Sequence, residues 1–219
     1  MSQLSVAKNE TVILLHGLVR TPRSMNTIAK HLRREGYQVV NLGYPSRHYD
    51  VMTLANQVIP QALAQCQAGH TIHFVTHSLG GILVRAYLSQ HKIQRLGKVV
   101  MLAPPNQGSE IVDKLGHLRL FKWINGEAGL QLGTDDMSMP KRLGAVDYEV
   151  GVIAGTRSIN LILSTLMPRP NDGKVSVTST KIKGMKDHLT LPVTHTFLMT
   201  NRRVLTAISA FLASGLFVK

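Results

Sequence analysis

Short apolar runs recur along the chain, and stretches with apolar residues at helical spacing lie between them. The runs predict strands at 11–15, 37–42, 71–77, 98–103 and 147–154, with a last strand inside 182–191. The spacing predicts helices at 24–36, at 51–68, after Ser78 and at 204–215. Because strands and helices alternate, we expect βαβ units and a mostly parallel sheet with right-handed crossovers.

Residues that start, stop or bend helices mark the ends of these segments. Ser24 is a candidate cap of the first helix, and Gly36 is expected to end it. Pro60 must either kink the helix over 51–68 or begin its second half. Gly215 is expected to end the last helix.

Polar or turn-forming residues directly follow three of the predicted strands, namely His16, Ser78 and Pro104. The carboxyl ends of parallel strands meet at one edge of a sheet, where ligands bind in open α/β folds. We therefore expect these three residues to lie close together at that edge.

The apolar residues of the segment 109–145 follow neither the alternating pattern of a strand nor the spacing of a helix. The segment spreads large apolar residues among glycines and charges: Leu115, Leu118, Leu120, Phe121, Trp123, Ile124, Leu130 and Leu132. Helical turns over the strand ends fit this pattern, either as a small lid or acyl-binding wall or as an ordinary crossover covering the sheet. We expect 1–219 to form one domain, with 109–145 as this insertion.

Ser78 is the candidate nucleophile, because it stands where the strand 71–77 turns sharply into a helix. The surrounding pattern is G-x-S-x-G, with Thr76 in place of the first glycine. A sharp turn presents the hydroxyl to a distant base and aims the next backbone N–H at a developing oxyanion. The alternative is a buried serine in an ordinary strand–helix turn.

A serine nucleophile needs a base and an orienting acid. His195 is the preferred base, since it lies in a loop between the last strand and the final helix; His188, in a charged stretch, is the rival. Asp172 is the candidate acid. Its Asn171-Asp172-Gly173 sequence also suits a plain turn, but the chain order Ser, Asp, His favours the catalytic interpretation.

Two backbone N–H groups, those of Leu18 and Leu79, are the candidate oxyanion donors. Leu18 belongs to His16-Gly17-Leu18, directly after the first strand, and His16 is expected to hold this loop. We expect Leu18, His77 and Trp123 to contact the substrate, although His77 also suits a packing role.

The net charge adds little to the prediction of binding partners. Lys and Arg number 25 against 12 acids, a net charge of +13, which raises the question of nucleic acid or anionic membrane. The basic residues are scattered and lack aromatic interleaving or finger spacing, so we expect a solvated face without specific nucleic-acid binding. Contact with an anionic membrane surface is the minority interpretation.

Cys66 is the single cysteine, so internal disulfides and cysteine metal clusters are excluded, and it is expected to pack as a small core residue. The first residues lack the charged start and apolar middle of a signal peptide, and no apolar run could span a bilayer. We expect a cytoplasmic protein.

Five stretches together resemble an α/β-hydrolase of the bacterial lipase and serine-esterase type: 12–18, 76–81, 103–110, 171–175 and the residues around His195. The 104–110 stretch is similar to a Pro-His-x-Gly-Ser segment of lipases and of deacylases of glycosylated lipids, although Pro105-Asn106 stands where His is expected. The resemblance implies a three-layer α/β/α fold. No counterpart of the first family strands precedes Thr11, which implies a compact sheet of about six strands.

The resemblance also implies a function: hydrolysis of carboxylic esters, with Ser78 as nucleophile, Asp172 as orienting acid and His195 as base. The substrate would be a small-molecule or lipid ester. No cofactor or metal is implied, because no acidic cluster suits calcium. Acyl transfer with the same triad and a non-catalytic basic protein that binds membrane surfaces are the alternatives.

Overall fold

The centre of the molecule is a parallel six-stranded sheet with strand order β2-β1-β3-β4-β5-β6. The computed structural model describes residues 7–159 and 164–218, so most of the N-terminal segment considered above for a signal peptide lies outside the described residues. The strands are β1 Glu10–Leu15, β2 Gln38–Leu42, β3 Thr71–His77, β4 Leu96–Leu102, β5 Val150–Gly155 and β6 Asp187–Leu191. The prediction of a mostly parallel sheet of six strands is confirmed.

The helices between the strands are α1 Asn26–Arg34, α2 Val51–Leu63, α3 Leu79–Leu88, α4 Glu110–Leu115, α5 Arg119–Leu130, α6 Met139–Arg142 and α7 Val177–Thr180, and α8 Arg202–Ser214 follows β6. Short 3-10 turns cover Pro22–Met25 and Leu198–Thr200. No helix in the described part of the chain combines the length and the apolar content needed to cross a bilayer.

Two apolar cores lie on the two faces of the sheet, as the alternation of side chains along each strand requires. In β1, Ile13 and Leu15 pack with α2 and α3, whereas Val12 and Leu14 pack with α1 and α8. All four side chains are fully buried. The three-layer α/β/α arrangement follows from this, because each face of a parallel sheet is covered by helices.

Three elements differ in detail from the elements that the sequence predicts. The first helical segment begins before Ser24, because Pro22 starts a 3-10 turn and α1 follows only from Asn26; Ser24 donates its hydroxyl to the Thr21 carbonyl instead of capping a helix. The helix α2 continues through Pro60 to Leu63. The strand β5 starts at Val150, later than the apolar pattern suggested.

The segment 109–145 contains three helices, α4, α5 and α6, and no strand. The helix α5 is interrupted at Gly126, whose φ of 64° is in the left-handed region. A Cβ at this position would lie 1.9 Å from the carbonyl oxygen of Arg47, so glycine lets α5 approach the loop after β2. The assignment of 109–145 as a mobile lid stays a prediction.

Candidate active site

Ser78 occupies the turn between β3 and α3 in a conformation that few side chains adopt, with φ 52° and ψ −119°. Its N–H donates to the Leu102 carbonyl of the neighbouring strand at 2.9 Å. Strained backbone persists only where surrounding contacts hold it, and such positions cluster at functional sites. The turn thus presents the half-buried Ser78 side chain at the carboxyl edge of the sheet.

Two glycines make room for this turn. A Cβ at Gly80 would lie 2.6 Å from the Leu15 carbonyl oxygen, so α3 can approach the end of β1 only with glycine there. At Gly81 a Cβ would lie 3.3 Å from Thr76 Oγ1. The absence of a side chain at Gly81 therefore accommodates the threonine that replaces the first glycine of the motif.

Asp172 and His195 form a buried pair. His195 Nδ1 donates to Asp172 Oδ2 at 2.7 Å, and Asp172 Oδ1 accepts the backbone N–H groups of Lys174 and Val175, each at 2.9 Å. The two side chains are 5% and 1% exposed. Both oxygens of the carboxylate are thus used, and His195 is held in the tautomer whose Nε2 can accept a proton.

His77 supports the backbone of His195. Its Nε2 donates to the His195 carbonyl at 3.1 Å, and the two rings are 4.6 Å apart. Burial lowers the pKa of His77 well below its usual value, and the neighbouring charges of His195, Arg20 and Lys174 lower it further. His77 therefore stays neutral and contacts both His195 and the cavity.

The loop after β1 carries Leu18. His16 fixes this loop, because its Nδ1 donates to the Gly17 carbonyl at 2.8 Å and its ring stacks on Tyr44 at 4.1 Å. Burial lowers the pKa of His16, while its hydrogen bond to Gly17 opposes the shift. Leu18 lines the same cavity as Ser78, and Leu79 opens α3 directly after Ser78.

Ser78, His77, His195 and Leu18 all line one cavity of about 360 Å³. Most of its other lining is apolar and comes from 109–132, including Ile111, Val112, Phe121, Ile124 and Leu132. No hydrogen bond between described residues joins Ser78 Oγ to His195; the two side chains share the cavity wall. An apolar cavity with a few convergent polar groups is the usual form of a small-molecule site.

Two residues that the sequence analysis considered for the site, Trp123 and His188, lie away from the cavity. Trp123 does not line the cavity: its side chain is 75% exposed, and its neighbours Phe121 and Ile124 contribute to the wall instead. His188 lies at the start of β6, and therefore at the sheet edge opposite Ser78, where its Nε2 meets Thr180 Oγ1 at 3.0 Å. The rival base is thus remote from the nucleophile.

Arg85 of α3, which nothing in the sequence singles out, holds the backbone next to Pro105 and near the end of 109–145. Its guanidinium donates to the carbonyls of Asn106, Pro140 and Gly144 at 2.8–3.0 Å. Asn106 also accepts from it through its side chain at 3.2 Å, which explains a buried amide at the position where the lipase resemblance expects histidine. Burial lowers the pKa of Arg85 to about 10.

Residues 7–159 and 164–218 contain no group of three or more His, Cys, Asp or Glu side chains placed to hold a metal ion. Cys66 is half-buried against the core, with its thiol 3.3 Å from the Ala62 carbonyl, and burial raises its pKa.

Residues 11–139 match the palmitoyl protein thioesterase family. No curated protein matches the sequence at a significant level. Among solved structures, the mature lipase BlEst2 of Bacillus licheniformis is similar in fold, with a TM-score of 0.72 and 16% identity over 100% of this chain and 96% of that one.

Two further structures share the fold. A metagenomic carboxyl esterase has a TM-score of 0.68 and 20% identity, covering 87% of this chain and 66% of its own. Phospholipase PlaB of Legionella pneumophila has a TM-score of 0.66 and 20% identity, covering 78% of this chain and 45% of its own.

Proposed function

The chain belongs to the palmitoyl protein thioesterase family and is an ester-hydrolysing α/β hydrolase of the lipase and esterase type, and from this premise we propose that it cleaves carboxylic esters through an acyl-enzyme on Ser78. One observation carries the proposal. The strained serine lines the same apolar cavity as a histidine whose other ring nitrogen is bonded to a buried carboxylate.

In the proposed reaction, His195 Nε2 takes the Ser78 proton as Oγ attacks the carbonyl carbon of the ester. Asp172 holds the ring in the required tautomer and stabilises the imidazolium that forms. His195 then protonates the leaving alcohol. Water, activated by the same histidine, releases the acyl group. The Ser78–His195 hydrogen bond is expected to form when substrate binds, as it often does in hydrolases whose free form has longer distances.

The oxyanion would be held by the N–H groups of Leu18 and Leu79. Leu18 lies in the loop that His16 holds, and Leu79 directly follows the turn at Ser78. One such donor is worth about 3 kcal/mol of transition-state stabilisation. The acyl chain would occupy the apolar part of the cavity formed by 109–132, which is the role proposed for this insertion.

A second candidate activity is hydrolysis of acyl thioesters. The family match favours it, since the matching family is named for palmitoyl thioester cleavage. The same serine, histidine and aspartate serve both reactions, because only the leaving atom differs.

The test combines active-site labelling with a substrate panel. We expect a fluorophosphonate probe to label the wild type and not Ser78→Ala, and p-nitrophenyl esters from acetyl to palmitoyl to be hydrolysed only by the wild type. Ser214→Ala is the matched control, because that hydroxyl is exposed at the end of α8. Strong labelling of Ser78→Ala would end the assignment. Acyl thioesters of the same chain lengths compare the two activities.

A further inference from the structure

We propose that the preferred substrate carries a negative charge on its leaving group, and that Arg20 and Lys174 bind this charge at the mouth of the cavity. The inference rests on the function proposed above and specifies its substrate: an apolar acyl chain esterified to an alcohol or thiol that bears a phosphate or carboxylate. Both basic residues line the cavity together with Ser78 and His195.

Neither cation makes an ion pair with a carboxylate in the described part of the chain. The nearby Asp172 already bonds His195 and two backbone N–H groups. Burial lowers the pKa of Lys174, and the charge of Arg20 lowers it further, while the charge of Asp172 partly opposes the shift. Two cations that line the same largely apolar cavity and make no ion pair favour an anion between them.

Arg20 and Lys174 lie on the leaving-group side of the site. In acyl transfer to serine the histidine protonates the departing atom, so the leaving group faces the base. The Arg20 guanidinium donates to the hydroxyl of Thr196, the residue after His195, at 3.2 Å. The Lys174 backbone bonds to Asp172, the partner of His195. Most of the apolar lining, in contrast, comes from 109–132.

A second cavity extends the basic surface away from Ser78. It has a volume of about 310 Å³, shares Val19 and Arg20 with the first cavity, and is also lined by Arg47 and His48. Among the described residues, neither lining includes Asp or Glu. A leaving group larger than the ester oxygen therefore has room and complementary charge beyond Arg20.

The experiment compares two substrate pairs with the same short acyl chain, used below the concentration at which they form micelles. One pair is octanoyl glycerol phosphate against octanoyl glycerol, and the other is octanoyl coenzyme A against octanoyl N-acetylcysteamine. The readout is the ratio of kcat/KM for the anionic member to that for the neutral member of each pair. We expect the wild type to prefer the anionic member by about tenfold or more in at least one pair.

Arg20→Gln and Lys174→Gln should each lower this ratio about tenfold, since each removes one charged hydrogen-bond partner. Arg20→Lys keeps the charge and should retain most of the preference. It therefore separates the loss of the charge from misfolding of the glutamine variant. Arg23→Gln is the matched control: it removes the same charge from an exposed residue that lines neither cavity. Its ratio should stay within twofold of the wild type.

The outcomes separate the inference from the proposed function. A preference in only one pair supports the inference and identifies the oxygen ester or the thioester as its source. A wild-type ratio near one in both pairs overturns the inference, as does an equal loss in Arg23→Gln, while Ser78-dependent hydrolysis of p-nitrophenyl esters leaves the proposed function standing. Absence of both hydrolysis and probe labelling overturns the two together.

Discussion

The two walls of the cavity are built in different ways. The wall around His195 consists of loops at strand ends, where buried polar atoms have specific partners, as in the bonds from Asp172 to His195, Lys174 and Val175. The wall from 109–132 consists of helices that contribute apolar side chains and leave Leu120 and Trp123 mostly exposed. The first wall fixes the direction of individual bonds, whereas the second supplies apolar surface.

The largest expected effect comes from breaking the polar wall at its acid. Asp172→Asn keeps the shape but cannot enforce the tautomer that leaves Nε2 of His195 free, so kcat on p-nitrophenyl butyrate should fall about 10⁴-fold. Asp147→Asn, before β5 at the opposite sheet edge, is the control and should change kcat less than twofold. A loss below tenfold in a folded Asp172→Asn protein would contradict the assigned role.

Next in size is the loss of the anchor that ties Asn106, just before the 109–145 segment, and the end of that segment to α3. Arg85→Met leaves the carbonyls of Asn106, Pro140 and Gly144 without their donor. The free energy of unfolding should fall by about 3 kcal/mol, measured by urea denaturation. Arg33→Met, which removes one exposed hydrogen bond, should cost under about 0.5 kcal/mol. Equal losses in the two variants would show that Arg85 is no anchor.

A change on the apolar wall should alter chain-length preference rather than the chemical step. Val112→Phe adds bulk inside the cavity, so the ratio of kcat/KM for palmitoyl over butyryl esters should fall about tenfold, the cost of excluding roughly two methylenes. Trp123→Ala changes an exposed neighbour and should leave the ratio within twofold. A large shift with Trp123→Ala would instead assign the acyl chain to the outer surface of α5.

The smallest expected effect is on how the free energy of unfolding depends on pH, and it tests the description of His77 in the polar wall. His77 has a lowered folded pKa, so the unfolded chain binds more protons below the usual value of 6.5. Its contribution to stability is present above that pH and is lost as the pH falls. Between pH 7.5 and 5.5 this one group should cost about 1 kcal/mol.

Thermal unfolding at a series of pH values measures this dependence. His77→Gln should flatten the profile, because glutamine does not titrate. His91→Gln, at an exposed position, should leave the profile unchanged. A His77→Gln profile as steep as that of the wild type would mean that other buried groups, such as His16, dominate the proton uptake.

Most of the fold could be predicted from local pattern, because the alternation of apolar runs and helical spacing depends on residues close in sequence. The predictions that failed also depend on nearby residues. Pro22 starts the first turn ahead of Ser24, and α7, with only four residues, is too short to show a helical period. The position of Ser78 followed from its strand and its glycines in the same way.

The sequence by itself determined the parallel sheet and the turn at Ser78, since both depend on residues that are close along the chain. It also gave the chain order of the candidate acid and base. Only the tertiary structure decided which distant side chains meet: Asp172 with His195, Arg85 with three carbonyls, and Arg20 with Lys174 beside one cavity. It also decided that Trp123 faces outward. The physical reason is that periodicity sets which residues form an element, whereas the contacts between elements depend on how the chain returns to the same edge of the sheet.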